Sequence, residues 1–210
     1  MEFITGLMDI VLHIDKHLVD IVNDYQSWTY FIMFLILFAE TGFVITPFLP
    51  GDSLLFAMGA LIAKPETELS LIWMFIVLIL AAVSGDFVNY EFGKYFGKKV
   101  FTPTSKVFKQ SYLQKTEAFY EKNGNKTIIY ARFIPIVRTF APFVAGVSKM
   151  SYQQFGKYNI FGGILWVALF LLSGYFFGQI SFIKNNFSLV VLAIIFISLL
   201  LPAIEHLRKT

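Results

Sequence analysis

Cysteine is absent from the 210 residues, which excludes a disulfide framework, an iron–sulfur site and any thiolate-held metal. Charge is scarce as well. Asp, Glu, Lys and Arg make up 15% of the chain, against about a quarter in an average soluble domain, so the chain cannot cover itself with a charged surface. An ordinary cytosolic enzyme, a disordered segment and a coiled coil are thereby excluded. The net charge of +3 is too small for a nucleic-acid footprint, and no nucleic acid is expected as a partner. Histidine occurs only as His13, His17 and His206, all outside the broken apolar segments described below. A histidine nucleophile or a metal cluster is therefore not expected, nor a cofactor, and the chain is not read as an enzyme. A basic signal n-region is missing too, because Glu2, Asp9, Asp15, Asp20 and Asp24 face Lys16 alone, so no cleavable signal peptide is expected. What is abundant is apolar mass: 57% hydrophobic and 18% aromatic residues, with a mean hydropathy of +0.67. An all-α integral membrane protein is the class that remains.

Periodicity divides the chain further. Leu7, Ile10, Val11, Ile14, Leu18, Ile21 and Val22 recur at helical spacing, so residues 1–27 read as an amphipathic helix lying at the membrane surface or capping the bundle. Residues 28–63 hold two apolar runs joined by Pro47-Phe-Leu-Pro50-Gly51-Asp52, the second run about half the ~20 residues needed to span. Prolines at the join prevent one continuous helix, and the segment reads as a re-entrant hairpin. Residues 70–97, opened by Ser70, read as a spanning helix. Residues 98–126 read as a basic cytoplasmic loop, because eight of the seventeen basic residues fall between Lys94 and Lys126. Residues 127–147, punctuated by Arg132, Pro135, Arg138, Pro142 and Gly146, read as a second hairpin entering from the cytoplasmic side. Residues 151–179 and 186–210 read as further spanning helices, the latter with a cytoplasmic C-terminus.

The two halves echo each other. Ser70 and Ser151 each start a helix and stand 81 residues apart, as do Gly93-Lys-Tyr-Phe-Gly97 and Gly174-Tyr-Phe-Phe-Gly178. Phe48-Leu49-Pro50 and Phe133-Ile134-Pro135 correspond at an offset of 85. Two inverted repeats are expected, each a re-entrant hairpin plus a spanning helix, a pattern that points to a binding site near the midplane.

Glu40, Asp52, Asp86, Arg132 and Arg138 interrupt these apolar segments. Each costs at least ~2.5–3.5 kcal/mol at the bilayer centre unless paired or facing water. Opposed hairpins would bring carboxylates to guanidiniums. One use is a structural pair, Glu40 or Asp52 with Arg132 or Arg138. The other is a phosphate site, since the arginine fork matches phosphate oxygens. The acids would then couple protons. Asp86 shares a helix face with Asn89, Tyr90, Gly93 and Gly97, and serves either a helix–helix hydrogen bond or the ion pathway. Lys94 reads as an interfacial anchor, and Gly162, Gly163, Ser173 and Gly174 as a packing stripe.

Three motifs now form a pattern. They are Glu40 with Pro47-Phe-Leu-Pro50-Gly51-Asp52-Ser-Leu-Leu and Gly59; Gly85-Asp86-x-x-x-Tyr90-x-x-Gly93-Lys94-x-x-Gly97; and Arg132-Phe133-x-Pro135-x-x-Arg138-x-x-x-Pro142-x-x-Ala145-Gly146, followed by Met150, Phe155, Asn159, Gly162 and Trp166. Over about residues 28–180 the chain resembles the DedA family of bacterial membrane proteins, which shares a domain with eukaryotic VTT lipid scramblases. Ala131 and Lys94 depart from the usual Gly and Arg. The resemblance implies opposed re-entrant hairpins, a bacterial inner-membrane location, dependence on the proton motive force and the movement of lipids across the membrane, with undecaprenyl phosphate as substrate. By motif position, Glu40, Asp52, Arg132 and Arg138 match the family's essential charged residues.

The expectation is a flippase in which Arg132 and Arg138 bind the anionic headgroup of a polyprenyl phosphate and Glu40, Asp52 and Asp86 couple protons. Pro47, Pro50, Gly51, Pro135, Pro142 and Gly146 would form the hairpin tips. Its partners are the bilayer, protons, the lipid headgroup and, in a homo-oligomer, another copy of the chain. A proton-coupled exporter of cationic compounds and a general phospholipid scramblase are the alternatives.

Overall fold

The computed structural model describes residues 14–43, 51–97 and 110–180, and every regular element among them is helical. In chain order these are α1 (Ile14–Gly42), α2 (Gly51–Ile62), α3 (Leu71–Phe96), α4 (Gln110–Asn123), α5 (Thr127–Ala131), α6 (Pro135–Val147), α7 (Tyr152–Val167), a π-helical turn (Ala168–Leu172) and α8 (Ser173–Gly178). Two helices are long and apolar enough to cross a membrane, Leu71–Phe96 and the continuous stretch Tyr152–Gly178. At 1.5 Å per residue, α3 reaches about 39 Å, more than the ~30 Å hydrocarbon core. The chain is an all-helical membrane protein. Residues 1–13, 44–50, 98–109 and 181–210 lie outside the described residues, and with them the whole of the 186–210 helix reading.

Two compact units divide the chain. The first takes residues 1–32, 50–75 and 168–210. Its α1 runs on unbroken through residues 27 and 28, where the sequence reading ends a surface helix and begins a hairpin. The physical reason is that residues 14–41 contain no proline or glycine to stop the helix. The Asn23 side chain donates to the Glu66 carbonyl at 2.7 Å and accepts the Glu68 N–H at 3.1 Å, while the Tyr30 hydroxyl accepts the Ser70 N–H at 2.7 Å. These bonds pin the link after α2 to α1. The 12-residue α2 covers only about 18 Å, and Asp52 in its first turn complements the helix dipole. It crosses α8 in glycine-to-backbone contact. A Cβ on Gly59 would land on the backbone of Leu171 and Tyr175, and one on Gly174 on that of Phe56.

The second unit takes residues 33–49 and 76–167. The end of α1 lies on α3, where a Cβ on Gly85 would meet the Thr41 hydroxyl and the Phe38 carbonyl. In the stretch expected to be a basic loop, residues 110–123 form α4 instead. Leu113, Thr116, Phe119 and Tyr120 lie on one helical face, and Leu113 and Thr116 are fully buried, so the lysines occupy only the outer side of an ordinary amphipathic helix. The break between α5 and α6 follows from Pro135. Ile134 precedes it and takes extended backbone, φ −122° and ψ 106°, because a proline disfavours helical geometry in the residue before it. Tyr90, Ile128, Ala131, Val137, Ala141, Ala145 and Phe155 form the core beneath this break. Pro142 lies inside α6 and has no N–H to offer the Arg138 carbonyl four residues back.

Helices α3 and α6 cross as α8 and α2 do. A Cβ on Gly93 would land on the Phe143 backbone, and one on Gly146 on that of Tyr90 and Lys94. Tyr90, Gly93 and Lys94 correspond to Leu171, Gly174 and Tyr175 at the offset of 81, and Phe143 and Gly146 to Phe56 and Gly59 at an offset of 87. Each unit thus contains the same reciprocal glycine crossing.

Candidate functional site

The charged residues of the second unit meet where α1, α3, the α5–α6 break, α6 and α7 converge. Asp86 and Asn89 face inward from α3, one turn apart. Arg132 closes α5 as its C-cap, still with helical φ −58° and ψ −22°, and its guanidinium reaches the interior, where the residue is only 3% exposed. Its Nη2 donates to Asp86 Oδ2 at 2.5 Å and to Asn159 Oδ1 at 2.6 Å. Asn159 is fixed in turn by donating from Nδ2 to the Val83 carbonyl at 3.0 Å. Nε and Nη1 of Arg132 are buried with no hydrogen-bond partner among the described residues.

Arg138 sits one turn into α6 and is held differently. Its Nη2 lies 3.2 Å from Glu40 Oε1, and its guanidinium carbon stands 4.1 Å over the ring of Trp166. The same ring lies 5.9 Å from the Arg132 guanidinium carbon. Asn89 ties the site to its walls, donating to the carbonyls of Thr41 at 3.3 Å and Thr139 at 2.9 Å. On the α4 side, the Tyr120 hydroxyl donates to the Ala141 carbonyl at 2.9 Å. Burial, and then the Asp86 charge, push the Tyr120 phenol far above its ordinary range, so it stays a donor.

Four of the five expected charged residues, Glu40, Asp86, Arg132 and Arg138, thus form one cluster, although the pairing differs from the expectation in one respect. Arg132 takes its carboxylate from the long helix α3 rather than from a hairpin acid, because Asp86 and Asn159 reach its buried nitrogen together. Asp52 and Gly51 begin α2 in the first unit. Pro47 and Pro50 lie outside the described residues. Pro135 opens α6, while Pro142 stands in the body of α6 and Gly146 in its last turn, where it is used in the crossing with α3. Gly97 belongs to no packing face either. It closes α3 at φ +64° with nothing near its missing Cβ. Lys94 stays at the exposed end of α3, 3.0 Å from the Tyr152 hydroxyl, which itself donates to Glu91. Among the described residues no three of His, Asp and Glu come together to hold a metal ion.

Sequence reasoning undervalues one helix face. Asn159, Gly162, Gly163 and Trp166 follow the i, i+3, i+4, i+7 spacing and are all buried. The two glycines make room for a guanidinium: a Cβ on Gly162 would come within 3.3 Å of Arg132 Nε. A polar residue and a tryptophan bracketing two glycines on one face is the signal that could have found them.

Residues 49–176 match the VTT domain. The protein DedA of Escherichia coli K12 is 54% identical over 209 residues, covering 99% of this chain and 95% of that protein. The chain belongs to the DedA family. An uncharacterized membrane protein of Mycobacterium tuberculosis is 45% identical over 81% of this chain and 74% of its own length. The E. coli inner membrane protein YghB is 33% identical over 82% and 75%. These names support a location in the bacterial inner membrane. No solved structure matches the chain. The VTT match contains Asp52, Asp86, Arg132, Arg138, Asn159 and Trp166, and Glu40 precedes it, within the span shared with E. coli DedA.

Proposed function

We propose that this DedA-family chain is a flippase that moves the phosphate headgroup of a polyprenyl phosphate, undecaprenyl phosphate in the first instance, across the inner membrane in a step coupled to protons. The observation that carries the reading is the buried Arg132 guanidinium, with Nε and Nη1 still lacking acceptors among the described residues. Leaving buried donors unsatisfied costs about 1–3 kcal/mol each, more when charged. A phosphate supplies several strong acceptor oxygens and a compensating charge at once. Arg132 is the fixed donor, clamped by Asp86 and Asn159, and Arg138 the exchangeable one, passing from Glu40 to the phosphate.

Proton coupling follows from the same exchange. A carboxylate whose arginine turns to a ligand loses the charge that keeps it ionised and can take up a proton. Glu40 stands in that relation to Arg138, and Asp86 to Arg132; Asp52 is a further proton-coupling candidate by motif position alone. No covalent step is involved.

The topology proposed with this function is two re-entrant hairpins, 28–63 and 127–147, each followed by a spanning helix, 70–97 and 151–179, with the second half inverted. Residues 98–126 and the end of the 186–210 helix are cytoplasmic, and α1, continuous from Ile14 to Gly42, enters the first hairpin as one helix. The repeated glycine crossing supports the internal repeat. The short α2 and α6, about 18–20 Å each, support half-membrane elements. Against an exporter of cations, Glu40 and Asp86 each already face an arginine.

The test is purified protein in liposomes with undecaprenyl phosphate placed in one leaflet, followed with and without a pH gradient. Protein-dependent transfer that the gradient accelerates is expected. Equal movement of phosphatidylcholine would instead indicate a general scramblase, and competition by cationic drugs without lipid transfer would indicate the exporter.

A further inference from the structure

Trp166 is fully buried on α7 and carries no charge, yet it lies against both guanidiniums of the site. Two buried cations beside one another repel, and the negative face of an indole offsets part of that repulsion without accepting a hydrogen bond. The two distances are unequal. At 4.1 Å Arg138 is in full cation–π contact, whereas Arg132 at 5.9 Å is near the limit and is held by Asp86 and Asn159 instead. Arg138 thus faces both Glu40 and the ring, and an incoming anion competes with Glu40 but not with the ring.

We infer that Trp166 is a positioning residue: its ring face keeps the Arg138 guanidinium oriented while Glu40 releases it, so that a phosphate meets a donor already in place. Without the ring, Arg138 would have to be reoriented by the ligand, and that cost would be read in affinity. The inference rests on the phosphate reading above and adds a residue to which no carboxylate or phosphate chemistry points.

The chain's three tryptophans give a direct readout. Trp28 and Trp73 are each 63% exposed, outside the site, and a Trp28→Phe/Trp73→Phe protein leaves Trp166 as the only indole with transport expected as in the wild type. In this background undecaprenyl phosphate should change the Trp166 emission, uncharged undecaprenol should not, and Arg138→Gln should alter the emission before any lipid is added. In liposomes, Trp166→Leu should raise the half-saturating concentration of undecaprenyl phosphate by about 10- to 30-fold, the range of a desolvated cation–π contact. The maximal rate should stay near wild type, and Trp166→Phe, which keeps an aromatic face, should recover most of the loss. A merely structural tryptophan would lower the rate or the yield of folded protein and leave half-saturation unchanged. An emission that ignores Arg138→Gln, or a Leu variant with wild-type half-saturation, overturns the inference. If the wild type moves no polyprenyl phosphate but Trp166 still senses Arg138, the ring's hold on Arg138 stands and the substrate reading is what fails.

Discussion

Replacing Asp86 by leucine would strand the Arg132 guanidinium in the interior. The Asp86 and Arg132 side chains are 7% and 3% exposed, so solvent screening gives little relief. At 2.5 Å the pair is a short, charge-assisted contact, and removing one partner of such a buried pair typically costs about 3–5 kcal/mol. Asn159 still accepts from Nη2, which places the expected loss toward the lower end. Asp86→Asn keeps an acceptor but not the charge. Because charge-assisted hydrogen bonds are roughly twice as strong as neutral ones, about half of that loss is expected. The double variant Asp86→Leu/Arg132→Met should return to within about 1 kcal/mol of the wild type, since an apolar pair of similar volume often replaces a buried ion pair without penalty. Unfolding in mixed dodecylmaltoside–SDS micelles, followed by circular dichroism, measures all three. An Asp86→Leu protein within about 1 kcal/mol of wild type, or a double variant no better than the single, would refute the claim that Asp86 is the anchor of Arg132.

Five further outcomes are expected. Arg132→Lys should abolish lipid transfer in liposomes, because one ammonium cannot both hold Asp86 and Asn159 and present separate donors to a phosphate. Arg138→Lys should fail in the same assay through loss of the planar stack on Trp166, and normal transfer by both lysine variants would remove the phosphate site. Glu40→Gln should flatten the pH dependence of transfer, since the neutral amide has no proton to exchange; an unchanged profile would exclude Glu40 from the coupling. Gly146→Ala should destabilise by about 1–3 kcal/mol through overpacking, despite the ~1 kcal/mol gain in helix propensity, because its Cβ meets the Tyr90 backbone. Gly156→Ala, which meets only the tip of the Phe87 ring at 3.4 Å, should be neutral or slightly stabilising by the same thermal or denaturant measurement.

Hydropathy and motif spacing reveal the membrane class, the two long helices and the charged residues, because each is a property of local sequence. Arg132 and Arg138 stand out for the simple reason that charge in an apolar run has to be answered. Which acid answers is a tertiary matter. Asp86 meets Arg132 across 46 residues of chain, and nothing in that spacing encodes the encounter. The reading of 98–126 as a loop fails over α4 because lysines dominate the local composition, while Leu113 and Thr116 decide the fold by packing inward. Trp166 ends the third motif without a role, because a tryptophan in an apolar helix resembles an interfacial or core residue until the guanidiniums are seen against it. The glycines are legible as small residues, but only geometry separates Gly93 and Gly146, which touch backbone, from Gly97, which ends a helix.

Pro142 bears on the exchange proposed for Arg138. A rigid helix under Arg138 would make every handover between Glu40 and a ligand strain its ladder. With no amide at 142 to restrain the carbonyl at 138, that turn can yield like a hinge pin while Gly146 keeps the far end of α6 seated on α3. Compliance is thus confined to that one turn of α6, and for the proposed handover an alanine at 142 would supply the missing amide and stiffen the turn beneath Arg138.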